Sequence, residues 1–148
     1  WTMRRRIASR ITDGSNNFIA TVQEGDEVLL SVPTNDFNTT NPGTSAVLAT
    51  FAVPTGINVW IISTWYWLES GAGSNNELLI TSPSQTDTTP TSVLNTFVYH
   101  AGADRATGRD AWLSDTSARL RYRCRVTGGS VTVIAGTDGW IDRRGKDD

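Results

Sequence analysis

Four arginines at alternate positions are the residues whose type and spacing point most clearly to chemistry. They lie in the stretch SARLRYRCRV, residues 117–126. Side chains of a β-strand point to opposite faces with a period of two, so this stretch predicts one core face and one face of guanidinium groups. The guanidinium face holds Arg119, Arg121, Arg123 and Arg125, and the core face holds Ala118, Leu120, Tyr122, Cys124 and Val126. Such a ladder could bind nucleic acid, an acidic partner chain, or carboxylates close to it.

The overall charge argues against nucleic acid as the partner of these arginines. The formal net charge is −2, whereas a nucleic-acid-binding domain is normally clearly basic. Further arginines cluster towards both ends of the chain, in MRRR and in DRRGK. Since an arginine fork suits carboxylates across an interface, we expect these to contact protein partners. The expected partner-binding residues outside the ladder are Arg4, Arg5, Arg6, Arg143 and Arg144.

A hairpin is predicted directly after the ladder. In RVTGGSVTV, two alternating runs are separated by Gly128 and Gly129, a pattern typical of a tight β-turn. The hairpin would place the run SVTVIAGTDGWID beside the arginine strand. Asp138 and Asp142 would then share a face with Trp140 and could supply acids to the arginines. We therefore interpret the ladder as paired with carboxylates of the same chain or of a neighbouring subunit.

Residues that could catalyse a reaction are sparse. His100 is the single histidine, and Asp104, Asp110 and Asp115 follow it, but two carboxylates at a suitable separation occur in almost any β-protein. Neither a nucleophile elbow nor HExxH nor a phosphate-binding loop is present. Cys124 is the single cysteine, which excludes an intrachain disulfide and favours a small buried side chain. We expect no enzymatic activity, no cofactor and no metal, with a polysaccharide hydrolase as a third alternative.

The elements that must position these residues are short strands. The chain is rich in Thr, Ser, Asn, Gly, Val and Trp, and strand-like runs recur between turn-rich links. This pattern predicts an all-β, antiparallel β-sandwich, jelly-roll-like, with an extended amino-terminal arm. The expected divisions are an arm and linker over 1–45, a sandwich core over 46–142 and a charged tail over 143–148. The longest nearly apolar run is too short for a membrane-spanning helix.

One strand is apolar on both faces. In NVWIISTWYWL, Val59, Ile61, Trp65 and Trp67 alternate with Trp60, Ile62, Tyr66 and Leu68. An antiparallel strand of a sandwich usually wets one face, so a second layer or another subunit should cover this strand. An exposed aromatic platform for a sugar is the remaining interpretation. We expect Trp60, Trp65, Tyr66 and Trp67 in core or subunit packing.

The carboxy-terminal half resembles a known group of proteins. LLITSPSQTDTTPTS, SDTSARLRYRCRV and the ending GWIDRRGKDD are similar to stretches of small virion-associated proteins of tailed bacteriophages, of the head-decoration or tail-fibre type. The resemblance covers residues 46–148. It implies a structural β-sandwich in a symmetric particle, usually trimeric, that either cements the capsid surface or forms the head of a fibre. It brings no catalytic residues.

The expected function is therefore structural. We expect a virion protein, a capsid decoration or cement protein that forms a homo-oligomer, a trimer as the resemblance implies, and binds the major capsid protein or tail and fibre components. The alternative is a carbohydrate-recognising module of a tail or head fibre. It would bind a host surface glycan through exposed Trp and Tyr, with Asn and Asp from the loops SGAGSNN and PTNDFNTTNPG.

Overall fold

The chain forms strands and no helix in the residues that the structure describes. The computed structural model describes residues 9–70, 75–100, 104–126 and 128–143. The strands are β1 (Thr21–Glu24), β2 (Glu27–Leu30), β3 (Phe37–Thr40), β4 (Val47–Thr50), β5 (Trp60–Ser70), β6 (Asn75–Thr81), β7 (Phe97–His100), β8 (Asp104–Leu113), β9 (Arg119–Arg125) and β10 (Ser130–Ile141). No helix in this part of the chain could span a membrane.

These strands form two antiparallel sheets packed face to face. The six-stranded sheet has the order β1-β2-β10-β5-β8, and β3 pairs with β10 as well. The four-stranded sheet has the order β4-β9-β6-β7. The predicted all-β, antiparallel sandwich is confirmed. Strand β10 pairs with β5 along nearly its whole length, from Ser130 opposite Ser70 to Ile141 opposite Trp60.

Most connections cross from one sheet to the other. From β3 onwards, only β6 and β7 follow each other within a sheet. The predicted hairpin between the arginine strand and the run after it is wrong for this reason. Strand β9 pairs with β4 and β6, whereas β10 lies in the six-stranded sheet between β5 and the strands β2 and β3. The two glycines turn the chain between the layers.

The core between the sheets is built on aromatic rings. Phe37 of β3 stacks on Tyr122 of β9 with ring centroids 5.4 Å apart, so one ring from each sheet meets at the centre. Trp65 packs edge-on against both rings and against Trp112. Such ring pairs stabilise beyond the area they bury, by about 0.5–1.5 kcal/mol each.

Most of the predicted arm belongs to the sandwich. Strands β1, β2 and β3 lie within residues 1–45, and β2 and β3 are bound to β10 by backbone pairing. Ahead of them, the Ser9 hydroxyl accepts a hydrogen bond of 2.8 Å from the Trp140 indole, and both residues are buried. The stretch from Ser9 to β3 is thus fixed to the carboxy-terminal strand.

A β-bulge in β10 changes which side chains face the core. The register with β5 shifts between Thr137 and Gly139, so Trp140 points into the core with no exposed surface. The expectation that Asp138 and Trp140 share an outer face is therefore wrong. Two glycines flank the bulge, and a Cβ on Gly136 would lie 1.9 Å from the Thr34 carbonyl oxygen. Only glycine allows the backbone to approach so closely.

Candidate functional site

The arginine strand has the predicted two faces. On its core side Leu120, Tyr122 and Cys124 are buried. Burial raises the pKa of the Cys124 thiol to about 12, so it is a packing residue. The four arginines lie on the outer face of the four-stranded sheet, because β9 pairs there with β4 and β6.

Three of the four arginines bind carboxylates of the same chain. Arg119 donates to Asp115 from Nη2 at 2.7 Å, Arg123 donates to Asp87 at 2.7 Å, and Arg125 donates to Glu77 at 2.9 Å. The acids come from the turn before β9, from the link after β6 and from β6 itself. None is Asp138 or Asp142, which the sequence analysis offered as partners.

Asp138 serves a different arginine on the other sheet. Its Oδ2 accepts hydrogen bonds of 2.8 Å from Arg109 Nε and from the Thr64 hydroxyl. Asp138 keeps the outer alternation of Ile134 and Gly136, and it meets Arg109 because β10 lies beside β5 in the six-stranded sheet. The group was not predictable from the sequence, because it depends on long-range strand pairing.

The turn before β9 is organised by Asp115. Its Oδ1 accepts hydrogen bonds from the backbone amides of Ser117 and Arg119, at 2.9 and 3.0 Å. Burial alone would raise the pKa of Asp115, but hydrogen bonds from Arg119 and Ser117 outweigh it and hold the pKa below its usual value. Ala118, at φ 59°, completes the tight turn. An acid at this strand entry therefore caps a turn and pairs with an arginine, the commoner use of such acids.

The ladder also fixes the link between β6 and β7, residues 82–96. Arg121 Nη2 lies 2.7 Å from the carbonyl oxygens of both Pro83 and Gln85, and 3.3 Å from that of Ser82. Asp87, the partner of Arg123, belongs to the same link. Much of the ladder thus holds a surface segment against its own sheet.

The tryptophan-rich strand β5 divides its aromatic residues between two environments. Trp65 and Trp67 have no exposed surface and belong to the core. On the opposite face of β5, Trp60 is 37% exposed and Tyr66 is partly buried. Phe37, in the middle of the loop proposed for sugar binding, packs in the core, and SGAGSNN lies largely outside the described residues.

The outer side of the six-stranded sheet is rich in apolar side chains. We call this surface the apolar face. Cross-strand partners place residues of five strands on it: Val22, Leu29, Trp60, Ile62, Tyr66, Leu68, Ala111, Leu113, Ile134 and Ile141. Val22 is 62% and Trp60 37% exposed, whereas Ile62 is 6% exposed, and the described strands form no third layer over the face. The two bulky faces of β5 were predictable from the sequence, but the apolar residues that β2, β8 and β10 add were not.

One of the arginines expected near the chain ends to bind partners lies on this face. The Arg143 guanidinium carbon lies 5.7 Å from the centroid of the Trp60 ring, which is a cation–π contact. The other terminal arginines expected to bind partners, Arg4, Arg5, Arg6 and Arg144, lie outside the described residues.

A cleft opens at one end of the four-stranded sheet, beside Arg119 and Arg121. We call it the end cleft, and its volume is about 630 Å³. Its walls are Ala46, Leu48, Asn58, Pro83, Ser84, Ser114, Asp115, Thr116, Arg119 and Arg121. The sequence indicated its two arginines and Asp115, but not the residues from β4 and from the links, which only the tertiary fold brings close.

No chemistry of a familiar catalytic kind emerges from the described residues. They contain no group of three or more His, Cys, Asp or Glu residues that could hold a metal ion. The His100 side chain, on which a catalytic arrangement would depend, lies outside what the structure describes. The apolar face and the end cleft are therefore the two candidate functional surfaces. Comparison with known proteins gives no match among family models, curated proteins or solved structures.

Proposed function

We propose that the chain is a non-enzymatic structural protein of a bacteriophage virion, a capsid decoration or cement protein that assembles with copies of itself through the apolar face. The apolar face is the observation that carries this proposal. In an antiparallel sandwich the outer side of a sheet is normally polar, yet here Trp60, Ile62, Tyr66 and Leu68 line the outer side of β5. Aromatic and large apolar side chains are enriched at subunit interfaces.

The size of the face suits an interface between subunits. Strands β5, β8 and β10 have 11, 10 and 12 residues. At about 3.3 Å per residue and about 4.8 Å per strand, they present about 500 Å², and β1, β2 and β3 add about 200 Å². A standard interface buries about 800 Å² per partner. One such face is therefore close to what a stable contact between two copies requires.

The charges on this face favour a second copy as the partner. Arg109, 54% exposed, lies beside Asp138, and Glu27 lies opposite Ile141 in the sheet. Both signs of charge thus occur on one surface. Two copies related by rotation can place an arginine of one against a carboxylate of the other, whereas a face of one sign would repel its copy.

The strand order supports a place in a virus particle. Numbered from β3 to β10, the two layers follow the orders 1-8-3-6 and 2-7-4-5, and we propose that the sandwich is a jelly roll. That architecture is frequent in viral capsid proteins, although lectin domains and cupins use it too. The resemblance of residues 46–148 to phage decoration and fibre proteins favours the viral use.

The physical mechanism of a cement protein would be linkage. A protein that binds only the assembled shell stabilises that shell by mass action, and no bond needs to be made or broken. Self-association through the apolar face would add avidity, since each copy would bring its neighbours to adjacent sites. A trimer, which the resemblance implies, would need each copy to use different parts of the face towards its two neighbours.

Sedimentation of the purified chain tests the assembly step. We expect an oligomer, and we expect Trp60→Glu to shift it to monomer by placing a carboxylate within the apolar face. Val93→Glu is the matched control, since Val93 is 92% exposed in the link on the other sheet. A chain that remains monomeric at high concentration would refute the assembly step. Mass spectrometry of particles of the encoding phage tests the virion assignment, and absence from purified particles would refute it.

A further inference from the structure

Arg121 carries a positive charge that the described protein does not neutralise. It is 8% exposed, and its hydrogen-bond partners are the neutral carbonyl groups of Ser82, Pro83 and Gln85. Among the described residues, it alone of the four ladder arginines lacks a carboxylate partner. A buried charge is costly unless an opposite charge accompanies it. The position of Arg121 therefore indicates an anion that the chain itself does not supply.

The guanidinium group of Arg121 keeps unused donors beside the end cleft. All three hydrogen bonds of Arg121 come from Nη2, so within the described part of the chain Nε and Nη1 donate to no protein atom. Arg121 lines the end cleft. The carbonyl groups fix the guanidinium from one side, so its orientation is set before a ligand arrives. The N–H groups of Nε and Nη1 diverge within the guanidinium plane, so a carboxylate can accept a charge-assisted hydrogen bond from either of them but not from both.

The other walls of the cleft suit the rest of a sugar. Asn58, Ser84 and Thr116 offer short polar side chains for hydroxyl groups, while Leu48, 46% exposed, offers an apolar surface for a ring face. The volume of about 630 Å³ lies within the range of small-molecule sites. Asp115 adds an acceptor for a sugar hydroxyl, and its negative charge opposes a ligand that carries two charges.

We propose that the end cleft binds the carboxylate-bearing unit of an acidic saccharide, with the carboxylate accepting a hydrogen bond from one of the two unused guanidinium nitrogens of Arg121. One unneutralised arginine matches one carboxylate, and the adjacent Asp115 disfavours a phosphate dianion. This site differs from the exposed aromatic platform expected from the sequence, because it uses a buried arginine and no aromatic ring. It goes beyond assembly of the virion, and would give the particle affinity for an acidic surface polysaccharide.

Ligand-observed NMR with glucuronic acid, glucose and inorganic phosphate tests the proposal on the intact chain. We expect glucuronic acid to bind in the millimolar range, and glucose and phosphate at least tenfold more weakly. Arg121→Met removes the charge and the free N–H donors, and should weaken glucuronic acid binding at least about tenfold. Because Arg121 also holds the 82–96 link, a variant that leaves it intact is needed as well.

Asn58→Trp is that variant. Asn58 is exposed and makes no hydrogen bond from its side chain within the described residues, so an indole should block the cleft without unfolding the sandwich. Asn35→Trp, at another exposed asparagine, is the matched control. Loss of glucuronic acid binding in Asn58→Trp alone, with an unchanged melting temperature, supports the site. Unchanged binding in Asn58→Trp, or equal binding of glucose or phosphate, overturns it. The apolar face lies on the other sheet, so the sedimentation result does not depend on either outcome.

Discussion

Replacing Gly136 by alanine tests how the 31–36 link is fixed to β10. The added Cβ would lie 1.9 Å from the Thr34 carbonyl oxygen and 3.0 Å from its carbonyl carbon. A carbon and an oxygen approach no closer than about 3.2 Å without repulsion, so the link must move by more than about 1 Å. The obstacle is backbone on both sides, and no side-chain rotation relieves it.

The cost follows from the bonds that such a movement breaks. Thr34 N donates to Thr137 O at 3.0 Å and Asp36 N donates to Ala135 O at 2.9 Å. Two lost backbone hydrogen bonds cost about 1–3 kcal/mol together. The buried Thr137 hydroxyl also loses Asp36 Oδ2, now 2.7 Å away, which adds about 1–3 kcal/mol for an unsatisfied group. We expect Gly136→Ala to lower the free energy of unfolding by about 2–6 kcal/mol.

Urea unfolding followed by tryptophan fluorescence measures this loss, because the buried Trp65 and Trp67 become solvent-exposed on unfolding. Gly14→Ala is the control, since a Cβ there meets nothing within 4 Å and the backbone is not left-handed. It should leave the stability unchanged or raise it by about 0.4–1 kcal/mol. If the free energy of unfolding of Gly136→Ala lies within about 1 kcal/mol of that of the control, the proposed steric requirement for glycine at this position is refuted.

Three further predictions concern the arginine strand. Arg125→Met should destabilise the fold by about 2–3 kcal/mol, because it leaves the carboxylate of Glu77, 1% exposed, without its cationic partner. The cost is below that of a fully buried pair because Arg125 is 43% exposed. Arg123→Met should cost below about 1 kcal/mol, and a cost equal to that of Arg125→Met in urea unfolding would contradict the role of burial. The lowered pKa of Asp115 stabilises the fold above the ordinary carboxyl pKa, and this contribution is lost as the pH falls through the folded value. Asp115→Asn should therefore destabilise at pH 7, and its difference from the parent chain in thermal melts should shrink as the pH falls below the ordinary carboxyl pKa; a constant difference would contradict the linkage. Cys124, with a pKa of about 12, should react with a thiol reagent at pH 8 only after unfolding, and rapid labelling of the folded chain would contradict its burial.

Alternation along single strands was predictable from the sequence because it is a local property. The two faces of β9 and the inner face of β5, with Ile61, Trp65 and Trp67 buried, follow directly from the period of two. The pairing of β9 was not predictable in the same way. Gly128 and Gly129 permit a hairpin, but also an arch between two sheets, and long-range pairing with β4 and β6 decides between them.

The candidate surfaces were partly visible in the sequence for the same reason. The Asp115–Arg119 pair spans four residues, and an acid followed by arginines at a strand entry indicates it. The unused N–H donors of Arg121 depend on the course of the 82–96 link, which no periodicity encodes. The Arg109–Asp138 pair depends on the place of β10 beside β5, and the inward side chain of Trp140 depends on a bulge that shifts the alternation of β10. Irregular links and bulges, more than strands, thus set the limits of inference from this sequence.

The place of β10 in its sheet has a consequence for biosynthesis. It is the last of the ten strands in the described part of the chain, yet it lies between β5 on one side and β2 and β3 on the other. Until the ribosome has translated through Ile141 and released that stretch, β5 has no partner on one edge and β2 and β3 lack the strand that joins them to the sheet. The six-stranded layer therefore closes late, and the unpaired edge of a strand as apolar as β5 is exposed to aggregation in the meantime.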